Sequence, residues 1–301
     1  MHKKIRIGYF ADGIWSHKAF LKIIQDPRFE VAFIIPRFDT RDSTLLSFAH
    51  QFNIPYIKSQ NINSQEFIST IQKYNCDIFV SMSFNQIFKE PLISLPRLKT
   101  INCHAGKLPK YRGRNILNWV LINDEKEFGI TVHYIDGGID TGDIILQETF
   151  PISDGDDYTS LLEIAHTKCA DLLYKALQLF ATNTVNPVKQ DHIHGFYCPM
   201  RISGDELIDW NQNSRTIFNF IRALNAPNLG AKSYIKDQEI IIYKSQLINN
   251  APNYISTTGV IVGIEKKDLI IKTLDSTLRI TDYNYKNRPK IGDRLKTYRE
   301  N

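Results

Sequence analysis

Asn102 and His104 stand two residues apart, and Asp140 lies further on between Gly138 and Gly142. Residues 100–104 read as a strand leaving a sheet. Side chains alternate along a strand, so Asn102 and His104 project to one side and Cys103 to the other. An amide at that position can donate to a developing oxyanion, a contact worth roughly 3–4 kcal/mol when such a donor is removed. An imidazole moves protons near neutral pH. A carboxylate can orient that imidazole or stabilise its charged form. Cys103 faces away, so no serine or cysteine nucleophile stands beside His104. The set suits direct acyl transfer to an incoming nucleophile, with no acyl-enzyme. No metal-ligand cluster is visible, so no metal is expected.

Each part also has a plain structural reading. An isolated Asn-x-His in a strand is usually structural, His133 reads as a hydrogen-bonded core or supporting residue, and residues 107–114 read equally as a polar turn. The functional reading rests on their co-occurrence within residues 98–146.

The elements that must position these groups are legible from periodicity. Residues 5–10 form an apolar run ending in Ala11-Asp12-Gly13, residues 16–24 show helical spacing, and residues 29–35 form a second β-rich run stopped by Pro36. Strand, glycine turn, helix and strand make a βαβ unit. The pattern repeats: 45–51 helical, 54–57 extended, 64–73 helical with Ser64 at its start and Glu66 in its first turn, and 77–82 a continuous apolar strand. Alternation of this kind predicts a parallel sheet with right-handed crossovers and ligands at the carboxyl ends of its strands. The first turn lacks Gly-x-Gly-x-x-Gly, so no dinucleotide site is expected there. Trp15 beside it has two readings, cover for a ligand or packing on the sheet edge.

Residues 116–122 are short and apolar. Residues 129–135 alternate as a strand, 143–150 are β-like, and 156–180 carry a long helical stripe with Asp156 or Asp157 as its cap. Residues 183–205 have prolines and no period. The expected organisation is a Rossmann-like, mostly parallel α/β domain over 1–190 and a linker at 191–204. A smaller β-rich, barrel-like domain over 205–301 then opens with a helix at 214–224.

Composition bounds the function. The chain has 301 residues, 43% hydrophobic and 23% charged, enough for a proper core. A net charge of +5 fits a small anionic substrate but is too weak to argue for a nucleic-acid binder. Cys76, Cys103, Cys169 and Cys198 are widely spaced, as free thiols in a reducing compartment would be. The basic start runs straight into the first strand, unlike a signal peptide, and no apolar run approaches the ~20 residues of a membrane span. A soluble cytoplasmic protein, off the membrane, is expected.

The motifs combine into a resemblance. Asn-x-His at 102–104, Leu-Pro-x-Tyr-Arg-Gly at 108–113, Trp119, Gly-x-Thr-x-His at 129–133 and Asp-x-Gly-Asp at 140–143 resemble the formyltransferases that use 10-formyltetrahydrofolate. The resemblance spans nearly the whole chain, since a β-rich second domain is typical of several members. It implies Asn102, His104 and Asp140 as the catalytic triad. It also implies a folate pteridine held by residues 83–87 and 136–140, chiefly through backbone groups, with Ser83, Phe84, Gln86, Ile87, Asp136 and Gly138 on the co-substrate.

The acceptor must come from the variable parts. Members acting on methionyl-tRNA carry a long basic insertion after the second strand. Here residues 36–44 hold only Arg37 and Arg41, offset by Asp39 and Asp42, so the electrostatic term of tRNA binding is missing. The glycinamide ribonucleotide branch usually lacks such a second domain. Residues 101–119 most resemble the sugar-modifying members, and 205–222 resemble the start of the second domain in the enzyme acting on UDP-4-amino-4-deoxy-arabinose. The expectation is N-formylation of a nucleotide-linked amino sugar, for lipopolysaccharide or other glycan biosynthesis, with no nucleic-acid partner. Methionyl-tRNA formyltransferase is the alternative, and hydrolysis of the formyl donor and folate binding without transfer are rivals. Arg112 and Arg114 suit a diphosphate, and Tyr111, Asn115 and Trp15 complete the expected acceptor side. Tyr111 and Arg112 have the alternative of fixing the turn. A homo-oligomer is possible, without patterned support.

Overall fold

The computed structural model describes residues 4–298. It divides into two compact units. The first holds residues up to Gly113, 128–150 and 163–198; the second holds 114–127, 151–162 and the chain from Pro199 on.

In the first unit the chain runs β1 (Ile5–Ala11), α1 (Gly13–Ile24), β2 (Phe29–Ile35), α2 (Thr44–Gln51), α3 (Gln65–Gln72), β3 (Ile78–Met82), β4 (Thr100–His104) and β5 (Arg112–Gly113). After α4 (Ile116–Ile122) come β6 (Glu127–Tyr134), β7 (Ile144–Pro151), α5 (Tyr158–Thr182) and β8 (Tyr197–Cys198). The order in the six-stranded sheet is β2-β1-β3-β4-β6-β7. The pairs β1–β2, β1–β3 and β3–β4 are parallel. β1 and β3 are apolar on both faces because helices cover both. Phe10, Phe33, Phe67, Phe79 and Phe88 fill one side, with Phe10 meeting Phe79 and Phe88 edge-on.

The sheet is mostly parallel, as expected, with β6 running antiparallel to β4, which sets His133 opposite Asn102 and Thr131 opposite His104. Some local elements differ from or add to the expectations. Residues 54–57 supply only a single bridge, Ile34 to Tyr56, because Pro55 cannot donate to a ladder. Residues 116–122 are a helix, buried along most of its length. The aperiodic stretch 183–205 contains a 3₁₀ turn at His192–His194 and the two residues of β8, which pair with β5. Capping follows the sequence more closely: Ser64 accepts from Phe67 N at 3.2 Å and Asp157 from Ser160 N at 3.0 Å.

The second unit is built around α6 (Ser214–Ala223) and a sheet of β9 (Ala231–Ile235), β10 (Gln238–Leu247), β11 (Ile261–Glu265), β12 (Asp268–Lys272), β13 (Thr277–Tyr285) and β14 (Leu295–Lys296). The strand order is β11-β12-β13-β10-β9-β14, and the ladders within it are antiparallel. Ile217, Phe218 and Ile221 of α6 close a core with Trp210, Ile240, Ile242, Leu278 and Ile280. This unit draws in earlier segments through polar contacts. Asn118 of α4 donates to Ala223 O at 2.6 Å, Arg215 pairs with Asp124 and Asp154, and Arg222 donates to Ser153 O at 2.6 Å. Its membership is therefore discontinuous in sequence.

Candidate active site

Strand β4 ends at His104, and its alternation sends Cys103 inward, where the thiol donates to Cys169 O of α5 at 3.5 Å. The other side of the strand carries Asn102 and His104. His104 is 8% exposed, and its Nε2 lies 2.7 Å from Tyr111 O. A carbonyl only accepts, so Nε2 carries the proton of this contact and Nδ1 is the nitrogen left facing Asp140. That Nδ1 lies 3.7 Å from Asp140 Oδ2.

Asp140 sits in the left-handed region, φ 52°, which aspartate tolerates. Its Oδ2 accepts from Gly113 N at 2.9 Å, and its Oδ1 lies 3.4 Å from His133 Nε2. Burial pushes the carboxyl pKa up. The charge on His104, the hydrogen bond and charge of His133 and the Gly113 N–H more than reverse this, and hold it well below the usual carboxylate range. His133 Nδ1 donates to Tyr134 O at 2.7 Å, leaving Nε2 to face Asn102 Nδ2 at 3.3 Å as well as Asp140. An amide donor, two imidazoles and one anion thus converge at the end of β4. They can stabilise an oxyanion, hold positive charge on a ring and pass a proton, the requirements of acyl transfer to an amine.

Two groups complete this arrangement. Gln190 donates to Asp140 O at 2.9 Å and Gly142 O at 2.7 Å, fixing the loop that carries the carboxylate. Gly106 lets the chain fold over the imidazole, since a Cβ there would lie 2.3 Å from His104 Nε2 and 2.6 Å from Tyr111 O. Nothing in the local sequence marks Gln190. Gly106, two residues past His104, offered proximity as a signal.

The formyl transferase family model matches residues 29–177, and its C-terminal domain model matches residues 202–295. The methionyl-tRNA formyltransferase of Fusobacterium nucleatum is 32% identical over 251 residues, 83% of this chain and 80% of that protein. This chain belongs to the formyl transferase family. The bifunctional polymyxin resistance protein ArnA of Wigglesworthia glossinidia brevipalpis is 34% identical over 85% of this chain, which spans only 39% of that protein. Among solved structures, the sugar 3N-formyl transferase WlaRD, determined with dTDP and 5-N-formyl-THF, superposes with a TM-score of 0.71 at 25% identity over 95% of this chain and 100% of its own. The N-formyltransferase of Helicobacter canadensis, in complex with folinic acid and dTDP-3-aminofucose, shares the fold with a TM-score of 0.69 at 24% identity, over 94% and 100% of the two chains.

The formyltransferase places its remaining predicted residues unevenly. Ser83, φ 55°, has its carbonyl and hydroxyl held by Arg37 at 2.6 and 3.0 Å. Phe84 packs on Phe10 and Phe88, while Ile87 is 61% exposed. Gln86 is engaged within the protein, accepting from Ile62 N and donating to Ser59 O. Asp136 accepts from Gly138 N and the Thr141 hydroxyl, shaping the loop ahead of Asp140. Trp15 packs edge-on against His166. Tyr111 is buried, in the left-handed region, with its ring against Phe196. Arg112 is 3% exposed and bound to Gln190 Oε1 and His192 Nδ1 at 2.7 and 2.9 Å. Arg114 and Asn115 are exposed, in the second unit. A cavity of about 290 Å³ opens where β1, β2 and β3 end, lined by Asp12, Gly13, Arg37, Thr40, Asp42 and Ser83 among others.

Proposed function

We propose that this formyltransferase moves a formyl group from 10-formyltetrahydrofolate to the amino group of a nucleotide-linked amino sugar, in the making of a lipopolysaccharide or other glycan. The observation that carries the acceptor class is the connection between β2 and α2. Where a tRNA enzyme needs a basic arm, Arg37 is turned onto Ser83, Asp42 lies 3.2 Å from His17, and Asp39 accepts from Asn85. A folded, charge-balanced loop supplies little of the phosphate neutralisation that drives nucleic-acid binding. The likeness to WlaRD along its whole length supports the same reading.

The donor side fits a folate. Residues 83–87 follow β3, the parallel neighbour of the β4 strand that carries Asn102 and His104, and Asp140 itself closes the segment 136–140. A planar heterocycle with donors and acceptors on its edge is recognised by backbone amides and carbonyls of such loops. In transfer, the amide of Asn102 donates to the oxyanion that develops at the formyl carbon. His104 adds its positive charge to the same oxygen. Asp140 supports that charge and takes part in moving the proton off the attacking amine, directly or through water. Asn102, His104 and Asp140 are the catalytic residues of this reading, and Arg114 and Asn115 belong to its acceptor side. Four free cysteines and the absence, among the described residues, of a helix able to cross a membrane fit a cytoplasmic enzyme.

A second reading, transfer to methionyl-tRNA, is favoured by curated relatives such as that of Fusobacterium nucleatum. The test supplies 10-formyltetrahydrofolate with a panel of nucleotide-linked amino sugars and with methionyl-tRNA, and follows the mass of each acceptor. One sugar is expected to gain one formyl group. Formyl-methionyl-tRNA with no formylated sugar would reverse the assignment.

A further inference from the structure

We infer that Gln147 is a positioning residue which, through Thr131, sets the nitrogen of His104 that carries the ring proton. This rests on the catalytic role proposed for His104 above. The sheet order is β4-β6-β7, with His104 at the end of β4, Thr131 on β6 and Gln147 on β7. Gln147 therefore acts from two strands away. Thr131 stands directly opposite His104, and His133, two residues on, stands opposite Asn102. Cross-strand partners share a face, and so do residues two apart, so Thr131 and His133 line the catalytic side of β6. His133 serves Asn102 and Asp140 directly. Thr131 reaches instead to the turn that covers the imidazole.

The direction of each hydrogen bond follows from the carbonyls, which only accept. The Thr131 hydroxyl, fully buried, donates to Gly106 O at 2.7 Å. Gln147 Nε2 donates to Leu108 O at 2.9 Å, and its other hydrogen goes to Thr131 Oγ1, also at 2.9 Å. Leu108 N donates to the same hydroxyl oxygen at 3.4 Å. The donor and both lone pairs of the hydroxyl are thus used, as are both hydrogens of the amide. One polar chain clamps the two ends of the turn at 106–108. Gly129 of β6 seats its middle, since a Cβ there would lie 2.6 Å from Lys107 Cβ. The clamped turn lies against the ring: a Cβ on Gly106 would lie 2.3 Å from His104 Nε2. It leads on to Tyr111, whose carbonyl accepts from that Nε2 at 2.7 Å. Without the clamp, Gly106 O and Leu108 O lose these donors, and the turn shifts to satisfy them elsewhere. Tyr111 O shifts with it, and the neutral imidazole regains its Nδ1–H form. In that form the nitrogen facing Asp140 already holds a proton and cannot take one from the attacking amine.

The test compares Gln147→Met, Thr131→Val and Thr131→Ser with wild type. Steady-state kinetics use whichever acceptor wild type formylates. Ring ¹⁵N shifts of labelled histidine report the tautomer at alkaline pH, with His104 assigned from its loss in His104→Ala. Gln147→Met and Thr131→Val should each lower kcat by roughly tenfold to a hundredfold, the effect of a small displacement of a catalytic group. KM and folate affinity should stay near wild type. Thr131→Ser keeps the hydroxyl and should remain within about threefold of wild type. The double variant should lose little beyond either single one, because both break the same chain. His104 should be in the Nε2–H form in wild type and Thr131→Ser, and a mixture of forms in the other two. If Gln147→Met and Thr131→Val keep wild-type kcat, or His104 stays wholly in the Nε2–H form in both, the inference falls. It falls also if wild type lacks that form, or if Thr131→Ser loses as much as Thr131→Val, which would make the effect one of packing. Should Thr131→Val not fold, Gln147→Met decides, since Gln147 is only half-buried. A tautomer and kcat that shift in both variants of an enzyme formylating methionyl-tRNA and no sugar would keep the inference and overturn the proposed acceptor. A sugar formylated at the wild-type rate by both variants would do the reverse.

Discussion

His104 Nε2 lies 2.7 Å from the backbone carbonyl of Tyr111. That contact fixes the tautomer, so the proton exchanged in transfer belongs to Nδ1, on the Asp140 side. Replacing His104 by alanine is therefore expected to lower kcat by roughly 10²–10⁴-fold while leaving folate binding largely intact. Stopped-flow or single-turnover rates, with folate affinity measured separately, check this. Equal loss of folate binding and folding would assign His104 a structural role.

Gly106 protects the same contact. A methyl group at this position would sit between His104 Nε2 and Tyr111 O. Gly106→Ala is expected to reduce kcat/KM by about tenfold to a hundredfold, because displacement of a catalytic group by a fraction of an ångström is enough. Gly155→Ala, whose added carbon meets only Ser153 Oγ at 3.6 Å, is the control. Equal activities of the two variants would contradict the role given to the tautomer.

Cys103 faces Cys169 rather than the cleft, and it is 7% exposed. Cys103→Ala should keep transfer within about threefold of wild type, at a cost of about 1 kcal/mol in stability. Intact-protein mass spectrometry during turnover should show no formyl adduct on the enzyme. A trapped thioester at Cys103 would replace direct transfer by an acyl-enzyme route.

Arg112 acts through Gln190, which in turn holds the carbonyls of Asp140 and Gly142. Arg112→Met leaves the Gln190 carbonyl without its cation. A loss of about 2–4 kcal/mol is expected, with a fall in kcat larger than any change in KM. Lysine should not restore it, because it lacks the second donor of the fork. Denaturant melts alongside kinetics measure both effects, and a stable variant with unchanged kcat would remove Arg112 from the positioning of Asp140.

Asp26 gives a pH signature distant from the chemistry. Hydrogen bonds from the Arg28 side chain hold its carboxyl at about 2, with burial opposing and the Tyr174 hydroxyl adding at 2.8 Å. The folded pKa lies below the unfolded value of about 3.9, so the group stabilises the fold above pH 4. That contribution is lost as pH falls from about 4 to about 2. With Arg28 42% exposed to screening, the contribution is on the order of 1–2 kcal/mol. Asp26→Asn should lose it at neutral pH and show a flatter stability profile between pH 4 and pH 2. Parallel profiles of variant and wild type would refute the linkage.

Periodicity alone determined the alternation of strand and helix through residue 82, the outward side of Asn102 and His104, the cap at Ser64, a cap at Asp156 or Asp157, and the β-rich second part. These depend on local chemistry: apolar spacing, side-chain alternation and oxygen atoms placed next to free amides. The resemblance carried by the motifs pointed to the family and implied Asn102, His104 and Asp140 as the residues proposed for catalysis. The tertiary structure decided what depends on groups distant in sequence. It reversed β6 beside β4, setting His133 against Asn102 and Asp140, because ladder direction follows from how the connection returns and not from the strand's own residues. It withdrew Arg112 into a buried network with Gln190, which no local pattern marks. It brought the backbone N–H of Arg201 to Asn115, 86 residues earlier in the chain. Burial and partnership are properties of the packed chain, so a sequence can offer an arginine for a ligand while only folding determines whether its fork is free.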